Sequence, residues 1–354
     1  MFIVTGSTGL IGSSVCDYFL KNNNKVIGID NDLRKYFFGL SGSNKWKEKL
    51  LKKDKNYIHY SIDIRNKIKI FDIFKQYKKQ IKAIIHTAAQ PSHDWAAKEP
   101  FTDFEVNANG TLHLLEATRN FCPYAPFLFT STNKVYGDTP NFLPLEEKKL
   151  RYEIKKNHKY FRNGIDESMS IDNSTHSIFG ASKTSADLLV QEYGRYFNMP
   201  TVSFRGGCLT GENHSGAQLH GFLSFLVKSI LREEKYFVFG YKGKQVRDNI
   251  HSMDVVSAFN EFIKKPKIGG AVYNLGGGRN NSCSILEAIK LIENLSGKKS
   301  NFKILNKNRI GDHIWWISDN SKFKKHFPKW KINFSLNHSL EKMVEFEFNI
   351  KNSA

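Results

Sequence analysis

The chain opens on the apolar run Phe2-Ile3-Val4 and passes directly into Thr5-Gly6-Ser7-Thr8-Gly9-Leu10-Ile11-Gly12. Glycines at every third position, set between an apolar run and a stretch with helical spacing (Leu10–Asn22), leave little choice of local structure. Gly6 allows the tight turn. Gly9 lets backbone come close to a bound group, and Gly12 lets the helix pack against the strand. The helix start offers N–H groups and a partial positive charge to phosphates. The segment therefore predicts strand, glycine turn and helix, the opening unit of a parallel α/β sheet.

The rest of the first half repeats the alternation. Strands are predicted at Phe2–Val4, Lys25–Asp30, Tyr57–Ile62, Ala83–Thr87, Phe127–Thr130 and Thr201–Arg205. Helices are predicted between them at Leu10–Asn22, Lys67–Lys79, Glu99–Asn120 and Gly180–Phe197. Strands separated by helices imply a doubly wound parallel sheet of Rossmann type. After Arg205 the pattern loosens. Gly206–Gly221 is rich in Gly, His and Ser, a helix is predicted at Phe222–Arg232 and a strand at Tyr236–Phe239. The expected organisation is a dinucleotide-binding domain over 1–205, with parts of 236–275, and a smaller C-terminal α/β substrate lobe mainly over 206–354.

At 354 residues the chain has room for about two domains and a full core. Its net charge is +19, but the lysines are dispersed among Asn, Ile and Phe. The densest stretch, Lys45–Lys55, has a helical pattern and carries its own acids, so a solvated helix is expected there and no nucleic-acid partner. The cysteines Cys16, Cys122, Cys208 and Cys283 are far apart and lack ligand spacing, so neither a metal site nor a disulfide frame is expected. A reducing cytoplasm fits. No apolar run approaches a membrane span, and no membrane partner is expected.

Asp30 ends the second predicted strand, 18 residues after Gly12. A carboxylate there binds the adenosine ribose hydroxyls and repels a 2′-phosphate, so NAD is the expected cofactor. Arg34 follows closely and can pair with a 2′-phosphate, but Asp30 holds the strand-end position.

Further segments point the same way. They are Ser61-Ile62-Asp63-Ile64-Arg65, His86-Thr87-Ala88-Ala89-Gln90, Asn107-Ala108-Asn109-Gly110-Thr111 and Ser131-Thr132-Asn133-Lys134-Val135-Tyr136-Gly137-Asp138. Gly243-Lys244-Gln245-Val246-Arg247-Asp248, Tyr273-Asn274-Leu275-Gly276-Gly277-Gly278 and Arg309-Ile310-Gly311-Asp312 follow. With the glycine loop, this series resembles the extended short-chain dehydrogenase/reductase family of nucleotide-sugar epimerases and dehydratases. STNKVYGD, GKQVRD and Gly164-Ile165-Asp166-Glu167-Ser168 are most similar to its 2-epimerase branch, which acts on CDP-linked deoxyhexoses.

The resemblance implies NAD held by Gly6, Thr8, Gly9, Leu10, Ile11, Gly12, Asp30 and Asn31. Asp63 and Ile64 would flank the adenine, Thr87, Ala88 and Ala89 would line the cofactor's middle, and Asn107 would support it. Lys183 matches the lysine that binds the nicotinamide ribose. Thr132 matches the residue that bonds the reacting sugar hydroxyl, with Asn133 beside it. Arg247 and Arg309 match arginines that clamp the substrate diphosphate, and guanidinium groups suit that task. The implied activity is epimerisation of a nucleoside diphosphate sugar through transient oxidation of a sugar carbon. A 4-epimerase or 4,6-dehydratase is the alternative, although a dehydratase usually carries Asp-Glu where this chain has Asn133 and Lys134. A homodimer through the helices near Glu99–Asn120 and Gly180–Phe197 is also implied.

One position departs from the family. In Ser177-Ile178-Phe179-Gly180-Ala181-Ser182-Lys183 the lysine of the Tyr-x-x-x-Lys motif stands in place, but Phe179 occupies the tyrosine position. Phenylalanine carries no exchangeable proton. Either Tyr136, His176, Lys134, Cys208 or Lys183 supplies the base, or the substrate or a water does, or the chain binds NAD and nucleotide sugar without turnover. The loop His214–His220 can contact base or sugar, or be a polar connection. Trp315-Trp316 is expected to pack in the small lobe.

Overall fold

The computed structural model describes residues 1–216, 221–308 and 311–353. It divides into two units. The first comprises Met1–Val135, Ser177–Arg205 and Val255–Tyr273; the second comprises Tyr136–His176, Gly206–Asp254 and the chain from Asn274 onward.

The first unit is built on a seven-stranded sheet. Its strands are β1 (Phe2–Thr5), β2 (Val26–Ile29), β3 (Tyr57–Tyr60), β4 (Ala83–His86), β5 (Phe127–Thr132), then Thr201–Gly206 and Ala271–Leu275. The order across the sheet is Ala271–Leu275, Thr201–Gly206, β5, β4, β1, β2, β3. β1 pairs in parallel with β2 and β4, with Thr5 opposite both Ile29 and His86. The chain runs outward from β1 through β2 to β3, then crosses back to β4 on the other side. That reversal is the switch point at which open parallel sheets receive ligands. The Rossmann fold expected from the sequence is thus present, with Ala271–Leu275, for which no strand was predicted, as its edge strand.

The strands are apolar on both faces because helices cover both faces. Ile3, Ile27, Ile84 and Phe127 are buried with Ile70, Ile73, Phe74, Leu114 and Leu115 from flanking helices. Helix α1 (Leu10–Lys21) buries Ile11, Val15, Phe19 and Leu20, and Phe19 stacks on Phe2 at 3.8 Å. The helix expected over Glu99–Asn120 is interrupted. It resolves into Pro100–Phe104, a widened π turn at Glu105–Asn109, and Gly110–Phe121. Such turns recur at functional sites, and this one carries Asn107.

The expected solvated helix at Lys45–Lys55 needs correcting. The helix Lys45–Leu51 exists, but Lys47 and Glu48 are buried. Lys47 Nζ lies 2.6 Å from Asp17 on α1, and Glu48 accepts from both Lys45 and Lys52 at 2.6 Å. The charges of its inner face are paired off within the unit, while Lys45, Lys49, Lys52, Lys53 and Lys55 stay exposed.

In the second unit Val246–His251 pairs antiparallel with Ser282–Ser284 and parallel with Trp315–Trp316 and Cys208–Thr210. Lys235–Phe239 pairs in parallel with Asn301–Leu305. The helices Phe222–Leu231, Ile285–Ser296 and Leu336–Ser353 share a core that includes Leu226, Ile289 and Leu340. A capping box at Ser284 and Glu287 starts the middle one. Trp315 and Trp316 are fully buried, so they pack, as expected. Among the described residues no helix is long and apolar enough to cross a membrane.

Candidate functional site

The glycine loop follows β1 and is held by its own backbone. Gly6 N donates to Ile29 O at 2.8 Å and Gly9 N donates to Gly6 O at 3.0 Å. Gly6 adopts φ +65°, and a Cβ there would lie 2.8 Å from Ala88 N. A Cβ on Gly12 would lie 2.1 Å from Gly6 O, which no side chain tolerates. Gly9 is the N-cap of α1, and no side chain caps that helix start. At the end of β2, Asp30 Oδ2 accepts from Thr8 N at 3.0 Å and Thr8 Oγ1 at 2.7 Å, while Oδ1 accepts from Asp32 N at 2.8 Å. These residues fit a dinucleotide. The loop has no space for a Cβ at Gly6 or Gly12, the helix start lacks a side-chain cap, and a carboxylate ends the second strand. Arg34 Nε donates to Gly42 O at 3.3 Å, and its guanidinium lies 4.9 Å from the Phe38 ring.

Asn31 and Asp63 meet beside this loop, with Asn31 Nδ2 donating to Asp63 Oδ2 at 3.0 Å. Burial pushes the Asp63 carboxyl up, but Arg65 and Asn31 together hold it below its ordinary value. Arg65 donates from Nε and Nη2 at 3.1 and 2.8 Å. Ile64 is buried against Gly110, where a Cβ would lie 2.6 Å from Ile64 Cδ1.

Beyond β4, Thr87 Oγ1 donates to Thr5 O at 2.7 Å and Ala88 N donates to Thr5 Oγ1 at 3.3 Å. The latter bond ties the Ala88–Ala89 segment to β1. A residue that the sequence reading passed over organises this corner. His86 Nδ1 lies 2.7 Å from Thr5 Oγ1, and His86 Nε2 lies 2.9 Å from Thr111 Oγ1. Thr111 gives its own proton to Asn107 O at 2.6 Å, so it accepts from His86 Nε2–H and Nδ1 accepts from Thr5. Burial drives the imidazole pKa well down, and the ring stays neutral. Asn107 is likewise fully engaged. Its Oδ1 accepts from Gln90 N at 3.0 Å, and its Nδ2 donates to Gln90 O, Asp103 Oδ1 and Ser182 Oγ at 3.0–3.1 Å. It locks the segment after β4 to the helix Ser177–Tyr196.

That helix carries Phe179 and Lys183 one turn apart. Lys183 is buried, donates from Nζ to Thr130 O at 2.9 Å, and lies 4.1 Å from the centre of the Phe129 ring. Burial lowers its pKa to about 7, against the opposing charges of Asp187 and Asp103. Asp187 is itself paired with Arg205 at 2.9 Å and accepts from Ser131. Thr132 is half-buried and its Oγ1 accepts from Lys134 N at 3.2 Å, starting the tight turn Asn133–Tyr136. Asn133 is buried beside it.

The substitutes considered for the missing tyrosine are placed as follows. Tyr136 is buried in the second unit, donating to Asn274 Oδ1 at 2.8 Å and stacked on Trp316. His176 Nδ1 lies 3.1 Å from Ser174 O, and Cys208 lies on a strand of that unit and forms no disulfide. Lys134 and Lys183 lie in the first unit. A further candidate, His93, packs its ring against Phe179. A titratable residue just beyond the C-terminal end of a parallel strand was the signal that could have found it.

In the second unit Arg247 is buried, with Nη1 donating to Val246 O at 2.8 Å and Nη2 3.8 Å from Asp312 Oδ1. Asp312 lines a cavity of about 270 Å³ with Asp138, Asn141, Thr175, Tyr241, Asn308 and Gly311. Asp248, also missed, is a structural anchor. Its Oδ2 accepts from Gly278 N at 3.0 Å and Ser318 N at 2.9 Å, and a Cβ on Gly276 would lie 2.1 Å from it. Burial raises its pKa to about 6. Arg309 lies outside the described residues, as does the 217–220 part of the His214–His220 loop.

Residues 2–276 match the model of the NAD dependent epimerase/dehydratase family, and the chain belongs to that family. Among individual relatives, CDP-paratose 2-epimerase of Salmonella typhi is 30% identical over 356 residues, covering 98% of this chain and 99% of that protein. UDP-glucuronate 4-epimerase of Thermodesulfobacterium geofontis is 29% identical over 346 residues, covering 98% and 95%. Among solved structures, a tyrosine-to-phenylalanine mutant of UDP-glucuronic acid 4-epimerase from Bacillus cereus, in complex with a fluorinated UDP-glucuronic acid and NAD, superposes with a TM-score of 0.80. It is 24% identical, with 99% of each chain covered. UDP-glucose 4-epimerase of Thermus thermophilus in complex with NAD gives 0.78 at 21% identity, with 98% of each chain covered.

Proposed function

We propose that this member of the family is a nucleotide-sugar epimerase that oxidises and re-reduces a single sugar carbon, C2 of a CDP-linked hexose. The observation that carries the reading is Lys183, a buried amine bonded to Thr130 O at the end of β5 in a family whose cofactor is NAD. The CDP-paratose 2-epimerase likeness supports C2 and the cytidine nucleotide.

Bound NAD supplies an electron-pair acceptor and donor for a sugar carbon. In our reading the backbone N–H groups of Leu10, Ile11 and Gly12 at the start of α1 receive the pyrophosphate, Gly6, Thr8 and Gly9 shape the turn that presents them, and Asp30 and Asn31 take the adenosine ribose. Asp63 and Ile64 border the adenine. Thr87, Ala88 and Ala89 line the middle, where Asn107 acts through Gln90 rather than by touching the cofactor. Lys183 bonds the nicotinamide ribose, and Thr132 offers its hydroxyl to the sugar. Asn133 lies beside that hydroxyl. In the second unit Arg247 and Arg309 take the diphosphate.

The test is incubation of the NAD-loaded protein with CDP-paratose, following the C2 proton by NMR. A second epimer is expected. UDP-glucuronic acid serves as the C4 alternative. Binding of both without turnover would favour a non-catalytic binding protein, the reading Phe179 motivates. A charge-assisted hydrogen bond contributes roughly 1.5–3 kcal/mol, so Arg247→Ala should weaken CDP-paratose binding about 10- to 100-fold. NAD affinity should hold, and equal loss of both ligands would count against the diphosphate role.

We also infer a homodimer through the helices near 99–120 and 180–197. Phe101, Phe104, Leu188 and Tyr196 leave large apolar groups exposed there. A sedimentation mass of one chain at micromolar concentration would remove this inference. Cys16, Cys122, Cys208 and Cys283 form no disulfide, which suits a reducing cytoplasm.

A further inference from the structure

The position one turn before Lys183 carries no proton, and an imidazole stands against it. The ring of His93 meets the ring of Phe179 edge-on, with centroids 4.9 Å apart and planes at 65°. His93 begins the helix His93–Lys98, which is capped by Ser92. That helix follows β4 through Thr87–Gln90, and so belongs to the C-terminal side of the strands, where parallel sheets meet their ligands.

The ring is docked by a strained residue. His93 Nδ1 lies 2.9 Å from Ser177 Oγ. Ser177 is the first residue of the helix that carries Phe179 and Lys183, and it holds φ 59°, in the left-handed region. A non-glycine residue there costs of order 1–3 kcal/mol and persists where the surroundings demand it. Ser177 Oγ also accepts from Gly180 N at 3.3 Å, which fixes the hydroxyl at the helix start. In the tautomer in which Nδ1–H donates to that hydroxyl, Nε2 is the basic nitrogen of the ring. Imidazole is the side chain that most often moves protons in catalysis.

We propose that His93 is the acid–base residue of this chain, taking the proton of the reacting sugar hydroxyl on Nε2 and returning it, in the role that Phe179 leaves vacant. The proposal rests on the epimerase reading above. In the oxidation the O–H bond breaks and its proton passes to Nε2. The C–H bond breaks and its electron pair passes to the bound cofactor. The carbon is oxidised to C=O as the cofactor is reduced. In the return the electron pair re-forms the C–H bond on the other face of that carbon, and the imidazolium gives its proton back to the oxygen. Lys183, bonded to Thr130 O and close to the same helix face, supports the step by its charge.

The experiment uses the NAD-loaded full chain with CDP-paratose as probe. His93→Gln is expected to lower kcat about 10²- to 10⁴-fold with KM nearly unchanged. His93→Ala should behave alike and recover when free imidazole is added, a rescue that a merely structural role would not give. In protein labelled with ¹⁵N-histidine, the Nε2 resonance of His93 should shift when CDP-paratose binds. Turnover of His93→Gln within about threefold of wild type, or an unmoved Nε2 signal at saturation, overturns the proposal and leaves the epimerase reading standing. A wild-type protein that neither binds nor converts CDP-paratose or UDP-glucuronic acid overturns the epimerase reading, and the role of His93 falls with it.

Discussion

Lys183→Met is expected to lower turnover by at least about 10²-fold while the protein stays folded. The two halves of that expectation come from the same burial. The amine has a pKa of about 7, because the loss of water penalises the ammonium more than Asp187 and Asp103 compensate it. Between about 7 and the ordinary 10.5 the unfolded chain binds a proton that the folded chain does not. Lys183 therefore opposes folding most at low pH, and stability grows as pH rises through that window. Methionine has similar length and no charge, so at pH 6 it removes the penalty and gives up the 2.9 Å bond to Thr130 O. The melting temperature at pH 6 should not fall. Single-turnover kinetics and calorimetry on the same variant check both halves. Wild-type turnover would remove Lys183 from the chemistry, and a collapse in melting temperature would make it a structural residue.

The other large effect is expected at Gly12. A Cβ there would lie 2.1 Å from Gly6 O and 2.7 Å from Gly6 C, both backbone atoms of the turn itself. Relief requires α1 to move away from β1, which displaces the helix start from the phosphate position. Overpacking of this kind costs about 1–3 kcal/mol, and here nothing flexible can yield. Gly12→Ala should therefore weaken NAD binding about 100-fold and lower the melting temperature. Gly9→Ala provides the contrast, since its Cβ would lie 3.3 Å from Gly6 O, a contact eased by a small shift. Isothermal titration with NAD on both variants checks the ranking. Equal affinities would mean that the close approach at Gly12 does not position the phosphate site.

The parallel sheet was legible because its signals are local. A buried parallel strand needs several apolar residues in a row, as in Phe2-Ile3-Val4, and a tight turn into a helix needs glycine, as at Gly6. Asp30 was legible for the same reason, since its place is set by counting from the glycine loop. The break at Asn107 was not legible. Helical periodicity runs through Glu99–Asn120, and the widened turn carries Asn107, whose bonds to Gln90 and Ser182 come from distant segments. Lys47 was misread because burial depends on a distant partner, Asp17.

The sequence by itself determined the fold class, the dinucleotide loop and the absence of a phenol at position 179. Each of these is a statement about residue type at a local spacing. Only the tertiary structure decided that Thr5, His86 and Thr111 form one buried network around a neutral imidazole, and that Asp248 anchors a glycine turn. It alone set His93 against Phe179, across 86 positions of chain. Hydrogen bonds and ring contacts between distant segments depend on where the sheet brings the chain back. No pattern of neighbours along the sequence carries that information.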